Sequence, residues 1–154
     1  MFDALLATHS IVRWLVLLAG AMAVVLAWRG RLGGAPWTPM DDRVGRWFTV
    51  GMDVQLLVGL ALYWMSPTVQ AALADMGAAM GDGTLRFWSI EHGVLMLLAV
   101  VATHIGRARS RRAERAAAKH RAAAVWFGLA LIAVLAAIPW PFREAVGRAL
   151  LPFG

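Results

Sequence analysis

Hydrophobic residues in this chain are gathered into four long runs that polar connections separate. The runs cover about 5–28, 46–65, 87–106 and 122–140, and each is long enough to cross the roughly 30 Å hydrocarbon core of a bilayer as one helix. The connections are too short to hold a second domain. The pattern therefore predicts an all-α integral membrane protein, a four-helix bundle that forms one domain over residues 1–154.

The composition agrees with this prediction and narrows the chemistry. Of the 154 residues, 60% are hydrophobic and 16% are charged, and the mean hydropathy is +0.65, a balance typical of membrane proteins. Cysteine is absent, which excludes disulfides, thiolate metal sites, iron–sulfur clusters and thioether-linked haem. Any haem must therefore be held without a covalent link.

The basic residues follow the predicted topology. The net charge is +6, and most of the positive charge lies in the first and third connections, at Arg29, Arg31, Arg43, Arg46, Arg107, Arg109, Arg111, Arg112, Arg115, Lys119 and Arg121. Because basic loops face the cytoplasm, we expect both termini outside it. We expect these connections to contact anionic membrane lipids and not nucleic acid.

Two connections have features of their own. The second, residues 68–85, has the spacing of a short helix lying at the outer interface, followed by the breaker Gly81-Asp-Gly. The third, residues 108–120, is rich in alanine and arginine and is expected to extend a helix beyond the bilayer. His120 falls in this connection, so we expect it to be solvated.

Two histidines within the apolar runs suggest a cofactor. His9 and His92 lie at a similar depth on the first and third helices, which run in the same direction. Ionisable groups inside membrane segments are costly and usually functional. Two imidazoles from facing helices at one level suit the axial ligands of a single b-type haem. We therefore predict that His9 and His92 are metal ligands.

Arg13 lies one helical turn from His9 on the same face and needs an anionic partner. A haem propionate or the carboxylate of Glu91 would serve. Trp14 could either form a wall for a flat cofactor or simply pack in the bundle. In the alternative without cofactor, His9 bonds to a backbone carbonyl and Arg13 pairs with Glu91.

Asp53 and Gln55 form a second polar group, roughly in the middle of the second helix. They could be a hydrogen-bonded pair that fixes helix packing, or they could carry protons or bind a quinone head group. His104 lies about 18 Å along the helix from His92 and about 120° around it, with no histidine partner at its level. We therefore expect a structural role for His104 and one haem in the protein.

Several motifs together resemble those of small four-helix bacterial membrane proteins of the cytochrome b or cytochrome b561-like type. The resemblance covers nearly the whole chain and rests on His9-Ser-Ile-Val-Arg13, Asp53-Val-Gln-Leu-Leu-Val-Gly-Leu, Ser66-Pro-Thr-Val-Gln, Arg86-Phe-Trp-Ser-Ile-Glu-His92, His104-Ile-Gly-Arg and Ile138-Pro-Trp-Pro-Phe142. It implies a haem-binding bundle in the bacterial inner membrane, with His9 and His92 as ligands. The chain lacks the second histidine pair of the fuller b561 pattern.

These patterns favour a membrane-bound electron-transfer protein or subunit over a stand-alone enzyme. One haem near the outer face would exchange electrons with quinol or with a partner complex, and other membrane subunits are expected partners. One alternative is a cofactor-free accessory subunit of a respiratory or photosynthetic complex. Another is a small enzyme that acts on a quinone or lipid through Asp53, Glu91 and Arg13.

Overall fold

The computed structural model describes residues 1–150, and all regular secondary structure in that range is helical. Four helical segments are long and apolar enough to cross a membrane, which confirms the predicted all-α membrane fold. The helices are α1 (Phe2–Gly33), α2 (Pro39–Met65), α3 (Pro67–Ala74), α4 (Met76–Gly81), α5 (Gly83–Arg86), α6 (His92–Arg112) and α7 (Ala116–Ala137). A π-helical turn, Phe87–Glu91, joins α5 and α6 into one continuous segment.

The first two long helices extend beyond their apolar runs. Capping interactions fix the last residue of α1 and the first residue of α2. Gly34 adopts a left-handed conformation, with φ 64°, and its N–H bonds to the carbonyl of Gly30, so it ends α1. Thr38 and Asp41 form a capping box at the start of α2, and Pro39 occupies the first helical position.

The last long helix ends three residues before the predicted boundary at 140. Ile138 is extended, as expected for a residue that precedes a proline, and Pro139 cannot continue the helix. The following segment, residues 138–150, turns back across the end of the bundle. Its Arg148 N–H bonds to the Pro139 carbonyl, and its Ala145 carbonyl accepts a hydrogen bond from the Thr84 hydroxyl.

The second connection folds into three short helices in place of the one helix predicted there. Side chains of Ser66, Asp75 and Asp82 cap the starts of α3, α4 and α5 by accepting backbone N–H bonds. The cap at Asp75 divides the predicted helix in two. That this connection lies at the outer membrane interface, and that both termini lie outside the cytoplasm, remain predictions.

The four long helices form a ring in the order α1, α2, α6, α7. Helix α1 packs against α2 and α7, and α6 packs against α7 and α2, so α1 and α6 lie diagonally opposite. We call the end with the first residues of α1 and segment 138–150 the histidine end, and the end with the two basic connections the arginine end. Near the arginine end the centre is filled by Phe48 and Phe127, whose rings are 5.7 Å apart.

His120 is buried, which corrects the prediction that it is solvated. Its exposure is 1%, and its ring lies 4.9 Å from that of Trp37. The turn between α6 and α7 is short, so α7 begins at Ala116 and carries His120 back into the bundle. Gly30 makes room for it, because a Cβ at Gly30 would overlap the imidazole.

Candidate functional site

A cavity of about 700 Å³ occupies the histidine end of the bundle. It is lined by residues of α1, α2, the π-helical turn, α6 and segment 138–150, with single residues from α3 and α7, and its polar residues include His9, Arg13, His92 and Arg148. Most of the remaining lining is apolar. A mostly apolar cavity of roughly 300–1,000 Å³ with a few convergent polar groups is typical of small-molecule and cofactor sites.

The two histidines face each other across this cavity from diagonally opposite helices. The ring centroids of His9 and His92 are 6.3 Å apart, and the ring planes are inclined by 61°. An imidazole nitrogen lies about 2 Å from a metal ion that it ligates, so two imidazoles on opposite sides of one ion have centroids about 6 Å apart. The observed separation therefore fits two ligands of a single metal ion.

His92 is held in the tautomer that a metal ligand needs. Its Nδ1 lies 2.9 Å from the carbonyl oxygen of Ala137, and because a carbonyl only accepts, Nδ1 carries the proton. The lone pair of the neutral ring is then on Nε2. Such a bond from the second ring nitrogen is what usually orients metal-bound histidines. The rings of Phe87 and Trp88, 5.8 and 5.7 Å away, flank the imidazole.

His9 has no competing hydrogen bond on its ring. Its Nδ1 is buried and has no partner among the described residues. The ring packs against Gly59 of α2, where a Cβ would lie 3.3 Å from Cε1. The amide of Gln55 donates to the backbone carbonyl of His9, N to O 3.0 Å, and so joins α1 to α2 at this level.

The π-helical turn immediately before His92 is a feature that sequence reasoning missed. It ends at Glu91, and the hydroxyl of Tyr63 on α2 donates to the carbonyl of Ser89 within it, O to O 3.0 Å. One extra residue in a helix rotates all later residues by about 100°, so the turn sets the direction of His92. No spacing in the apolar run distinguishes this turn from ordinary α-helix.

Arg13 does not pair with Glu91, which corrects one of its two predicted partners. Glu91 bonds to Arg86, N to O 2.6 Å, and lies outside the cavity. Adjacent residues on a helix point about 100° apart, so Glu91 cannot share the direction of His92. Arg13 lines the cavity and donates from Nη2 to the carbonyl of Leu150 at 2.5 Å, while its buried Nε finds no partner in the described part of the chain.

Arg148 is a cavity residue that sequence reasoning did not identify. Its guanidinium lies 4.4 Å from the ring centroid of Trp88, and within residues 1–150 its side chain makes no hydrogen bond or ion pair. Partial desolvation lowers the pKa of Arg148. No periodicity marks this residue, because it follows the last helix and its place depends on where Pro139 and Pro141 turn the chain.

Trp14 lies beside the cavity and does not line it. Its exposure is 37%, and its indole N–H donates to the Leu150 carbonyl, N to O 3.0 Å. The Arg13 guanidinium lies 5.5 Å from its ring centroid. The side chain thus fastens segment 138–150 to α1 and is not placed as a wall for a flat cofactor.

Asp53 and Gln55 do not form a pair, because residues two apart on a helix point to different faces. Gln55 is 4% exposed and turns inward to His9. Asp53 turns outward and bonds to Nε2 of His104 on α6, O to N 2.8 Å. The two side chains are 43% and 53% exposed, so a carboxylate and an imidazole lie together on the outer surface of the bundle.

The donor set of the cavity fits haem better than a bare metal ion. Within residues 1–150 no three His, Asp or Glu side chains come together as a metal site. Haem iron needs only two protein ligands, because the macrocycle supplies the other four. Two opposed imidazoles, a large apolar cavity and two arginines at its rim match that requirement.

Comparisons with protein-family models, curated proteins and solved structures found no match to this chain. The resemblance to small cytochrome b-like membrane proteins therefore stays a prediction from the motifs.

Proposed function

We propose that this protein binds one haem b, without a covalent link, between His9 and His92. It would serve in a bacterial inner membrane as an electron-transfer protein or subunit that exchanges electrons with quinol or a partner complex. The observation that supports this most is the 6.3 Å separation of the two ring centroids across an apolar cavity. The motif resemblance supports the bacterial membrane.

Each residue has a definite part in this proposal. His92 presents Nε2 because its Nδ1 proton is engaged by Ala137, and His9 presents a ring with no competing hydrogen bond. Most of the cavity lining is apolar, which surrounds a bound group with a medium of low polarity. Haem, when bound, would supply a one-electron iron couple, and two neutral imidazoles are ligands that would suit an iron used for electron transfer.

The Asp53–His104 pair supports quinol as one electron donor. Each electron that a quinol gives to a one-electron acceptor is accompanied by the loss of one proton, and a carboxylate hydrogen-bonded to an imidazole can accept that proton. The pair is exposed on the surface formed by α2 and α6, where a lipid-soluble molecule can reach it. It lies about 18 Å along α6 from His92.

The test is the visible spectrum of the purified protein after haem is supplied, in oxidised and dithionite-reduced forms. We expect the reduced α-band of a low-spin b haem at one haem per chain. His9→Ala and His92→Ala should each abolish this band, because one axial ligand is lost. His104→Ala is the matched control, since His104 lies outside the cavity, and it should leave the spectrum unchanged.

Two results would contradict the proposed haem site. If folded protein takes up no haem, or if both cavity histidines can be replaced without effect on the band, the proposed site is wrong. The cofactor-free accessory subunit then becomes the better hypothesis, and the next step is to identify the membrane proteins that copurify with the chain.

A further inference from the structure

Two arginines line the same cavity, and neither has a carboxylate partner within the described part of the chain. Arg13 comes from α1 and Arg148 from segment 138–150. Arg46, Arg86 and Arg107, by contrast, each pair with an aspartate or a glutamate. Arg13 and Arg148 thus differ from these three arginines, whose charges are neutralised by carboxylates of the protein.

Unpaired guanidinium groups beside an apolar cavity are energetically unfavourable. A partly desolvated cation without a counter-charge destabilises its surroundings unless an anion neutralises it. Among residues 1–150 Arg13 makes one side-chain hydrogen bond, to the neutral carbonyl of Leu150, and its buried Nε has no partner there. A guanidinium group forms a planar, bidentate pair with a carboxylate or a phosphate. It pairs less well with the other anions found in biological ligands.

The two arginines are also linked to the histidines through packing. Arg148 stacks on Trp88 at 4.4 Å, and the Trp88 ring lies 5.7 Å from that of His92. Arg13 follows His9 by one helical turn and lies on the same face of α1. Arg13 is therefore associated with His9, and Arg148 with His92 through Trp88, and both arginines line the one cavity in which a single ligand would bind.

We propose that Arg13 and Arg148 together recognise a ligand that carries two carboxylates, and that for the haem of the proposed function these are its two propionates. This inference rests on the proposed function and extends it to Arg148, which acts as an anion-binding residue at the rim. The arginines set which edge of the ligand faces segment 138–150, while the histidines hold its metal.

The test compares haem b with its dimethyl ester, which keeps the macrocycle and lacks both charges. Each is titrated into the haem-free protein in detergent, and the Soret band gives the dissociation constant. We expect the wild type to prefer haem b by about tenfold to hundredfold for each charge-assisted contact. Arg13→Gln and Arg148→Gln should each remove part of this preference and leave the affinity for the ester nearly unchanged.

The control is Arg143→Gln. Arg143 lies in the same segment and stacks on Phe87 at 4.6 Å, yet it does not line the histidine cavity. It should keep the full preference. Arg148→Lys should keep a part of it, because the charge remains while the planar fork is lost. Circular dichroism of each variant confirms that a changed affinity reflects binding and not unfolding.

The outcomes separate this inference from the proposed function. Equal binding of haem b and its ester by the wild type, or an unchanged preference in Arg148→Gln, overturns the role of the arginines while the histidine site stands. Failure of both compounds to bind folded protein overturns the haem proposal and this inference with it.

Discussion

The hydroxyl of Tyr63 donates a hydrogen bond to the backbone carbonyl of Ser89, 3.0 Å away across the boundary between two membrane-spanning segments. The acceptor lies inside the π-helical turn Phe87–Glu91, where the regular helical ladder is interrupted. A side chain on α2 thus supports the irregular turn that directs His92 into the cavity.

Tyr63→Phe removes this bond and leaves the aromatic ring. We expect the free energy of unfolding to fall by about 0.5–1.5 kcal/mol, the net value of one such bond. Haem affinity should fall as well, because the direction of His92 is less fixed. Ser89→Ala is the control, since it removes the hydroxyl that bonds to the carbonyl of Leu85 four residues earlier and keeps the backbone carbonyl that Tyr63 contacts. Equal haem affinity in wild type and Tyr63→Phe would show that the turn holds its shape alone.

Gly30 and His120 provide a second prediction, about packing at the arginine end. A methyl group on Gly30 would collide with the buried His120 ring. Gly30→Ala should therefore destabilise the protein by about 1–3 kcal/mol, the usual range for overpacking.

The collision predicts strong coupling between these positions. In a His120→Ala background the ring atoms that would collide with the added methyl are gone, so the cost of Gly30→Ala should fall or vanish. The check is thermal unfolding of the two single variants and the double variant in one detergent. Additive effects would mean that the two residues do not touch.

Gly106 and Gly128 form a matched pair for the contact between α6 and α7. A Cβ at Gly106 would lie 2.9 Å from atoms of Phe127 and Trp126, whereas one at Gly128 would meet nothing within 4 Å. Gly106→Ala should lower stability by about 1–3 kcal/mol. Gly128→Ala should raise it by about 0.5–1 kcal/mol, because alanine loses less backbone entropy in a helix. The same sign for both would contradict the packing described.

If haem and quinol react as proposed, Asp53→Asn should slow the reduction of the haem by a soluble quinol at least about tenfold, because the proposed proton acceptor is lost. Its haem spectrum and its reduction by dithionite should match those of the wild type. His104→Ala should slow the quinol reaction in the same way. Stopped-flow absorbance at the haem α-band measures both rates. An unchanged quinol rate in Asp53→Asn would place the donor elsewhere on the surface.

Much of the fold could be predicted because long apolar runs in the sequence identify membrane-spanning helices. His9 and His92 could also be placed at one level, since depth needs only the direction of each helix and the distance from its end. Helix ends were predicted less well: α1 continues through Arg29 and Arg31 to Gly33 because charged side chains do not stop a helix.

The features that could not be predicted depend on rotation about a helix axis and on irregular backbone. Depth says nothing about the face on which a residue lies, so Asp53 was grouped with Gln55 and its real partner, His104, was missed. For the same reason Glu91 counts as one of two possible partners of Arg13 in the sequence, whereas in the structure it pairs with Arg86. The cavity role of Arg148 depends on the path of a segment without regular structure, for which no sequence period exists.

The position of segment 138–150 affects the order in which the cavity is assembled during synthesis of the protein. Arg13 and Trp14 both bond to the Leu150 carbonyl, so this side of the cavity is completed by residues from nearly opposite ends of the described chain. A ribosome that has produced only the first helices has made His9 without its counterpart and without this covering segment. For the haem of the proposed function, both histidines and this covering segment are therefore brought together only after the whole bundle has been made.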